Sequence, residues 1–337
     1  MQYLAQGTCY LFQPESQKRR DLEASLANLL LSEGYQEVVL PVVQAHDPDT
    51  PRPLRKMVDA AYKFVDYRGQ VMALRSDMTE AVASLASHEL RDIGRPLRLF
   101  YSGSVFRARR PRWAGMVESY QVGAEIVGIA APEGDVEILS LVARCLKAAR
   151  IAGFQLRMGH VGIMESVMDF GGMDEKQKTE LRLALVSRDL VHVERLIEGI
   201  VIPRACRLFL KQILQFPDGE DVLEAARDLA SYDDSRRTAE ALSELEGIIS
   251  GASACGIGDF IQLDLGLIRD LEYYSGMIFE AYAPGCGGPI AGGGRYDGLL
   301  KILGHAEGAV GFALDMQQVL NTLRKADGNI ALHIGEL

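Results

Sequence analysis

Apolar residues recur every three or four positions in several segments, the spacing that lays one stripe along an α-helix. The stripes in the first half of the chain consist of Leu22, Leu26, Leu29, Leu30, Val136, Leu139, Val142 and Leu146. Gly34 follows the first stripe as a helix stop, and Asp135 begins the second. From about Met173 to Gly251 the helical pattern continues with few strand signals, so we interpret this segment as helical.

Short apolar or alternating runs predict strands elsewhere. In YQEVVLPVV (35–43), Pro41 cannot donate to a ladder, so we predict an edge or interface strand. YKFVDYRGQVMALR (62–75) alternates around Arg68-Gly69 and predicts a hairpin. Thr79 is then placed to cap a helix that reaches about Leu90.

The longest strand signals come next. Residues 97–128 predict two long strands joined by a basic loop, and strands return at 260–268 and 277–284, before a glycine-rich turn. Strands that pair with near neighbours predict an α+β fold with a mostly antiparallel sheet flanked by helices, rather than a doubly wound parallel sheet. We expect a core of residues 1–170 and 252–337 with a helical insertion at 171–251.

The last helix is predicted by GFALDMQQVL (311–320) and the residues that follow it. Met316, Val319, Leu320 and Leu323 form one apolar stripe. Gln317 and Gln318 lie beside this stripe and, taken alone, are ordinary polar helix residues.

Composition narrows the class of protein. The chain has 337 residues, of which 48% are hydrophobic, and carries a formal charge of −10, which disfavours a nucleic-acid partner. Without an apolar run of about 20 residues or a secretory signal pattern, we expect a cytoplasmic protein without a membrane partner. The five cysteines and six histidines lack metal-ligand spacing, so we expect neither disulfides, nor a metal, nor another cofactor.

Two groups of residues can carry chemistry. FRARRPR (106–112) is the densest positive cluster, and its arginines suit carboxylate or phosphate; they are Arg107, Arg109, Arg110 and Arg112. This cluster alone does not distinguish ATP, RNA or an acidic protein as partner. The second group combines acids, an amide, tyrosines and an arginine that would complement a zwitterionic amino acid such as histidine. Its members are Asp77, Thr79, Gln121, Glu125, Arg269, Tyr273 and Tyr274.

Six stretches in order, GYQEVVLPVV, LRSDMT, FRARRP with YQVGAEIVG, LIRDLEYYSGMIFE, GGGRYDGL and GFALDMQQVL, resemble the catalytic core of histidyl-tRNA synthetase, a class II synthetase. The resemblance covers roughly residues 5–325. It implies a class II core fold and a homodimer formed through the strand around Pro41. It also implies that Asp77, Thr79 and Gln121 meet the α-amino group of histidine, Glu125 and Tyr274 its imidazole, and Arg107 and Arg269 its carboxylate. Tyr273 completes this histidine-binding set.

Departures from the family pattern fall at the ATP site. Asp315, Gln317 and Gln318 stand in the motif that ends in a phosphate-binding arginine, and Arg109 replaces an adenine-site glutamate. A neutral amide cannot replace the guanidinium fork, so we expect negligible adenylation. Positions that carry arginine, arginine and phenylalanine in the family are Gly115, Val117 and Ser119 here. The sequence ends 17 residues after Leu320, where a synthetase continues into an anticodon-binding domain.

A retained amino-acid pocket beside a disabled ATP site resembles the regulatory subunit of ATP phosphoribosyltransferase, a histidyl-tRNA synthetase paralogue. LRSDMT and GHVGIM (159–164) also resemble this paralogue. The resemblance implies a non-catalytic protein that assembles with the short-form catalytic subunit in the first step of histidine biosynthesis. Histidine would be an allosteric feedback ligand.

Two alternatives stay open at this point. One is a truncated histidine-activating ligase that transfers adenylate or histidine to an acceptor other than tRNA. The other is an RNA-binding sensor that uses FRARRPR, which the acidic composition disfavours. The sequence also leaves open the surface that contacts the catalytic subunit, the stoichiometry, and whether histidine binds in the synthetase-like pocket or at a subunit boundary.

Overall fold

The computed structural model describes residues 4–5, 7–46, 61–108, 117–215, 220–269 and 273–326. Its helices are α1 (Glu15–Ser32), α2 (Thr79–Ser87), α3 (Glu133–Ala148), α4 (Val161–Phe170), α5 (Glu175–Val186), α6 (Leu190–Gly199), α7 (Arg204–Gln215), α8 (Glu220–Tyr232), α9 (Arg237–Ala254), α10 (Asp297–Ile302) and α11 (Met316–Ala326). Its strands are β1 (Gln36–Glu37), β2 (Val43–Ala45), β3 (Lys63–Val65), β4 (Val71–Leu74), β5 (Leu97–Phe106), β6 (Glu118–Val127), β7 (Gln155–His160), β8 (Ile261–Leu263), β9 (Met277–Tyr282), β10 (Ala291–Arg295) and β11 (Ala309–Asp315). In the described part of the chain, none of the helices combines the length and apolar character that a bilayer crossing requires.

Among the described residues, eight strands form the main sheet in the order β1-β5-β6-β11-β10-β9-β7-β8. The pairs from β5 through β7 are antiparallel, whereas β1 runs parallel to β5 and β8 parallel to β7. This confirms the α+β fold with a mostly antiparallel sheet. The long strands β5 and β6 pair from Leu97↔Val127 to Phe106↔Glu118.

Strand alternation separates the two faces of the sheet. Val122, Ala124 and Ile126 on β6 belong to a large hydrophobic core with the helix α3. Gln121 and Glu125 point to the opposite face, since successive side chains of a strand alternate. On that face, helices α2 and α10 enclose a second apolar cluster with β5. The polar residues of β6 are therefore placed under a separate layer.

The edge strand and the hairpin follow the sequence pattern. The short strand β1 lies at the edge of the main sheet, and Val38 N–H donates to the Phe100 carbonyl at 2.8 Å. Strands β2, β4 and β3 form a separate three-stranded sheet, in which Gly69 occupies the hairpin turn with φ +81°. That left-handed conformation suits glycine because it lacks a Cβ atom.

The predicted cap of α2 is wrong. The helix begins at Thr79 and ends at Ser87, and its N-terminal capping residue Met78 makes no side-chain cap. The Thr79 hydroxyl donates instead to Glu125 on β6. The Thr79 N–H donates to the Asp77 carboxylate at 2.7 Å. The Thr79 hydroxyl thus makes a tertiary hydrogen bond to Glu125 instead of the helix cap that the local sequence predicts.

Helices α5 to α9 occupy the segment in which the pattern predicts helices. Asp174 and Gln177 form a reciprocal capping box at the start of α5. Leu181 of α5 and Leu245 of α9 belong to the same hydrophobic cluster as the central sheet. The division of the chain into a core and an insertion domain stays a prediction.

The last helix is confirmed over Met316–Ala326. Met316, Val319 and Leu320 are buried in the main core, and Leu323 packs against it. Gln317 and Gln318 are half-buried beside this stripe, as the spacing predicts.

Candidate functional site

A cavity opens on the face of the sheet opposite the large core. It is lined by predicted site residues from β5, β6, the start of α2 and the segment before β9, namely Asp77, Thr79, Arg107, Gln121, Arg269, Tyr273 and Tyr274. Gly292, Gly293, Gly294 and Gly311 of β10 and β11 also contribute to its wall. The structure thus brings together residues that lie up to 234 positions apart in sequence, from Asp77 to Gly311.

Glu125 lies behind the cavity wall and is only 1% exposed. The Thr79 hydroxyl donates to its Oε1 at 2.9 Å, and the Tyr101 hydroxyl to the same oxygen at 3.2 Å. The Tyr296 hydroxyl donates to Oε2 at 2.8 Å. Thr79, Tyr101 and Tyr296 line the cavity, so they connect the buried carboxyl group with the open space.

Burial raises the pKa of Glu125 to about 8, against the hydrogen bonds from Tyr296 and Thr79, which lower it. The negative charge of Asp77 adds to the increase. Glu125 is therefore mostly neutral at pH 7. Because a hydroxyl group both donates and accepts, its three partners can serve the neutral and the ionised carboxyl group.

Gly311 makes room for this carboxyl group. It pairs with Glu125 across β11 and β6, and a Cβ atom at position 311 would lie 1.5 Å from Glu125 Oε2. Any larger side chain would have to displace the glutamate.

Arg269 lines the cavity and packs against Gly292 of β10. A Cβ atom at Gly292 would lie 1.8 Å from its Nη1, so only glycine leaves room for the guanidinium group there. Nη1 donates to the Phe279 carbonyl at 3.2 Å and lies 3.9 Å from Glu280 Oε1. The guanidinium carbon is 5.6 Å from the ring centre of Tyr274, within cation–π range.

Two further acids lie near the start of α2, namely Asp77 in the cavity wall and Glu80 in the first turn of the helix. Asp77 is half-buried, and Gln121 of β6 is 8% exposed. Burial, with a contribution from the Asp77 charge, raises the pKa of Glu80 to about 7. The Asp77 carboxylate and the Gln121 amide oxygen in the cavity wall suit a cationic amino group.

Arg107 stands at the end of β5 and is the described member of the basic cluster. Its Nε donates to the Ser76 carbonyl at 3.1 Å, which turns the side chain back toward the segment that carries Asp77. Arg109, Arg110, Arg112 and Gly115 lie outside the described residues.

Asp315 lines the same cavity and pairs with Gln121 across β11 and β6, and the resemblance places ATP phosphates beside it. Its Oδ1 accepts from the backbone N–H groups of Gln317 and Gln318 at 2.9 and 3.0 Å, so it caps α11. Its Oδ2 accepts from the Ser119 hydroxyl at 2.9 Å. The Gln317 amide donates to Asn321 at 3.1 Å along the helix. Asp315 thus places a carboxylate, held as the cap of α11, where the resemblance expects ATP phosphates.

Some residues of the site escape prediction from the sequence. Tyr101 and Tyr296 hold Glu125, and Glu280 lies beside Arg269, but each reads in sequence as an ordinary strand or turn residue. The expectation that the glycines of GGGRYDGL mark a tight turn is wrong, since Gly292–Gly294 lie in β10. A Cβ atom at Gly293 would lie 2.1 Å from the Gly311 carbonyl, so close strand packing explains that glycine.

The fold and the site together define a histidyl-tRNA synthetase-like protein of the class II type. The family model described as histidyl-tRNA synthetase matches residues 8–319. Three-dimensional similarity extends to a Bacillus halodurans protein described as an ATP phosphoribosyltransferase regulatory subunit/histidyl-tRNA synthetase, with a TM-score of 0.84 and 24% identity over 96% of this chain and 83% of that one. A histidine–tRNA ligase subunit from Alicyclobacillus acidocaldarius gives a TM-score of 0.81 and 24% identity over 97% and 98% of the two chains. Both likenesses concern the fold.

Sequence comparison gives the particular family. The ATP phosphoribosyltransferase regulatory subunit of Moorella thermoacetica is 36% identical over 94% of this chain and 81% of its own length. The protein of the same description from Carboxydothermus hydrogenoformans is 32% identical over 92% of this chain and 93% of its own length. The chain belongs to the family of ATP phosphoribosyltransferase regulatory subunits.

Proposed function

We propose that this chain acts in the cytoplasm as a non-catalytic subunit that assembles with a short-form ATP phosphoribosyltransferase catalytic subunit. In this role it is required for the first step of histidine biosynthesis and contributes to feedback inhibition by histidine. The observation that carries the proposal is the contrast inside one cavity. Residues that suit an amino acid line it, and Asp315, which pairs with Gln121 across β11 and β6, adds a carboxylate to the same wall.

The cavity chemistry supports histidine as its ligand. Asp77 and Gln121 offer oxygen acceptors for an ammonium group, and Arg107 and Arg269 offer guanidinium groups for a carboxylate. Tyr274 and Glu125, with the hydroxyl groups around that carboxyl group, can exchange hydrogen bonds with an imidazole ring. An imidazolium ring beside Glu125 would favour the ionised carboxylate and so offset part of the pKa increase that burial causes.

Calorimetry on the assembled complex tests this pocket. Glu125→Ala and Arg269→Ala should each weaken histidine binding by at least about tenfold, since a hydrogen bond to a charged group contributes about 1.5–3 kcal/mol. Glu246→Ala is the control, because Glu246 pairs with Arg227 on exposed helices and does not line the cavity. Unchanged histidine affinity in both pocket variants would place the histidine site elsewhere.

The assembly itself is tested by co-purification with the short-form catalytic subunit. Its phosphoribosyltransferase activity should require this chain and should fall when histidine is added. Histidine inhibits only if it binds the less active state more tightly, by a coupling of about 1–3 kcal/mol. A catalytic subunit that is fully active and histidine-sensitive alone would contradict the proposal.

A true ligase would activate histidine with ATP. Asp315 would repel the phosphates, and its carboxylate is held in place by the N-terminus of α11 and by Ser119. We therefore expect no histidine-dependent exchange of pyrophosphate into ATP. Exchange above background at high protein concentration would favour the ligase instead.

We also propose a homodimer formed through the segment around Pro41. Val39 is 92% exposed, and Val42, Val43, Phe64 and Val65 of the adjacent small sheet are exposed as well. Contiguous exposed apolar residues are typical of an interaction surface. Light scattering should report a dimer that Val39→Lys weakens, while Val201→Lys, at a fully exposed valine between α6 and α7, leaves it intact. A monomer in the unaltered protein would overturn this part.

A further inference from the structure

Glu280 of β9 is an acid in the cavity wall to which the family resemblance assigns no role. It lines the cavity, and its side chain is 13% exposed. In the sheet it pairs with Gly292 on β10 and with Arg157 on β7. Directly paired residues share a face, so Glu280 stands between the guanidinium group above Gly292 and the side chain of Arg157.

The Glu280 carboxylate is fixed from the side away from Arg269. The Tyr282 hydroxyl donates to Glu280 Oε2 at 2.6 Å. The Arg157 guanidinium carbon lies 5.3 Å from the centre of the Tyr282 ring, which holds that ring by a cation–π contact. The other carboxylate oxygen, Oε1, faces Arg269 Nη1 at 3.9 Å.

These contacts orient the Arg269 guanidinium group. Nη1 is the atom nearest the sheet, where it meets the Phe279 carbonyl, Glu280 and the open position at Gly292. Nη2 lies farther from that position, at 3.1 Å from the ideal Cβ atom against 1.8 Å for Nη1. Nη1 is therefore the terminal nitrogen that contacts the sheet, and we assign Nη2 to the ligand carboxylate.

We propose that Glu280 is a positioning residue that sets the preference of this pocket for a ligand with a free carboxylate. It holds Arg269 by Nη1, and Tyr282 and Arg157 keep Glu280 in place. The inference rests on the proposed function, since it takes histidine as the ligand of the cavity. It adds a chain of side chains, Arg157 to Tyr282 to Glu280 to Arg269, that sets carboxylate recognition.

The test compares two ligands in the complete complex by calorimetry. Histidinamide keeps the amino group and imidazole of histidine but lacks the carboxylate charge. Glu280→Gln keeps the shape of the side chain and should weaken histidine binding by about tenfold while histidinamide binding stays within about twofold. Tyr282→Phe should change the same ratio in the same direction but less, because it removes only the hydrogen bond that steadies Glu280.

The ligand ratio separates positioning from loss of structure. A merely structural role would weaken both ligands equally, and that result, or an unchanged or increased preference for histidine in Glu280→Gln, overturns the inference. Glu246→Gln, at an exposed ion pair with Arg227, is the matched control and should leave both affinities unchanged. If the unaltered complex binds no histidine, the proposed function fails and this inference fails with it. If it binds histidine and Glu280→Gln leaves the ratio unchanged, only this inference fails.

Discussion

Two buried acids, one on the helix α3 and one on the strand β6, have different partners. Asp135, at the start of α3, is 0% exposed and receives hydrogen bonds from Arg295 Nε at 3.0 Å and Nη2 at 2.8 Å. Glu125 is 1% exposed, and in the contacts described above it accepts hydrogen bonds only from hydroxyl groups. Burial raises the pKa of both, but the Arg295 charge limits the increase for Asp135 to about 6, whereas Glu125 reaches about 8.

The difference separates a structural clamp from a candidate ligand site. Arg295 also donates to the Ile129 carbonyl and to Asp297, so one guanidinium group joins the loop before α3, β10 and α10. The charges of this pair offset each other in a fixed geometry. Around Glu125, by contrast, hydroxyl groups tolerate either protonation state and adjoin the cavity. A buried acid held by neutral groups can respond to a ligand, whereas one held by a buried arginine mainly maintains the fold.

The largest expected effect comes from breaking the clamp. Arg295→Ala leaves Asp135 buried without its cation and should lower the free energy of unfolding by about 3–5 kcal/mol. Urea denaturation measures this loss. Arg227→Ala is the control, since it breaks the exposed pair with Glu246 and should cost about 0–1 kcal/mol. Equal losses in the two variants would contradict the role assigned to Arg295.

A smaller effect is expected from filling the space beside Glu125. Gly311→Ala places a Cβ atom on Glu125 Oε2, so the carboxyl group must move. Such overpacking typically costs about 1–3 kcal/mol of stability, and it should also weaken histidine binding. Gly298→Ala on α10 is the matched control, since its Cβ atom would meet only the Tyr273 carbonyl at 3.8 Å. Denaturation and calorimetry on both variants check this, and an undisturbed Gly311→Ala would show that Glu125 is not held where the structure places it.

A third effect concerns the pH dependence of stability. The pKa of Glu125 is raised from 4.5 to about 8, so the folded chain holds a proton that the unfolded chain releases between these values. Protonated Glu125 therefore contributes to the free energy of unfolding at low pH. This contribution is lost as pH rises from 4.5 toward 8, so stability falls over this window. Glu125→Gln removes that contribution and should flatten the profile, at a cost of about 1 kcal/mol from altered hydrogen bonds.

Urea denaturation at pH 5 to 8 checks the profile. Glu80 and Asp135 also have raised pKa values, to about 7 and about 6, and they contribute in the same direction in both proteins. The difference between the two profiles therefore isolates Glu125. Parallel profiles would show that Glu125 titrates alike in the folded and unfolded chains.

Several features of the fold could be predicted from residue patterns. The helix at Met316–Ala326, the hairpin around Gly69 and the long strands β5 and β6 follow directly from periodicity and turn chemistry. The cap at Thr79 could not, because Glu125 competes for its hydroxyl across 46 positions of sequence. The same limit applies to Arg295, which stands in a glycine-rich stretch yet forms a buried ion pair with Asp135, 160 positions away.

The candidate site shows the same division. Asp77, Gln121 and Arg269 could be named from their residue types and from family motifs, and they line the cavity together. Tyr101, Tyr296 and Glu280 could not be assigned, because a tyrosine or glutamate carries no local signal for its distant partners. Their roles follow from register, since β6, β11, β10 and β9 lie side by side.

Local sequence by itself determined the first and last helices, the hairpin, the long strands and the residue types that suit an amino acid. Side-chain periodicity and charge are properties of neighbouring residues, so they can be read without the fold. Only the tertiary structure decided which acid meets a cation and which meets hydroxyl groups, and it placed Asp315 and Glu280 in the wall of one cavity. Desolvation and hydrogen bonding depend on groups that the sheet brings together from distant parts of the chain.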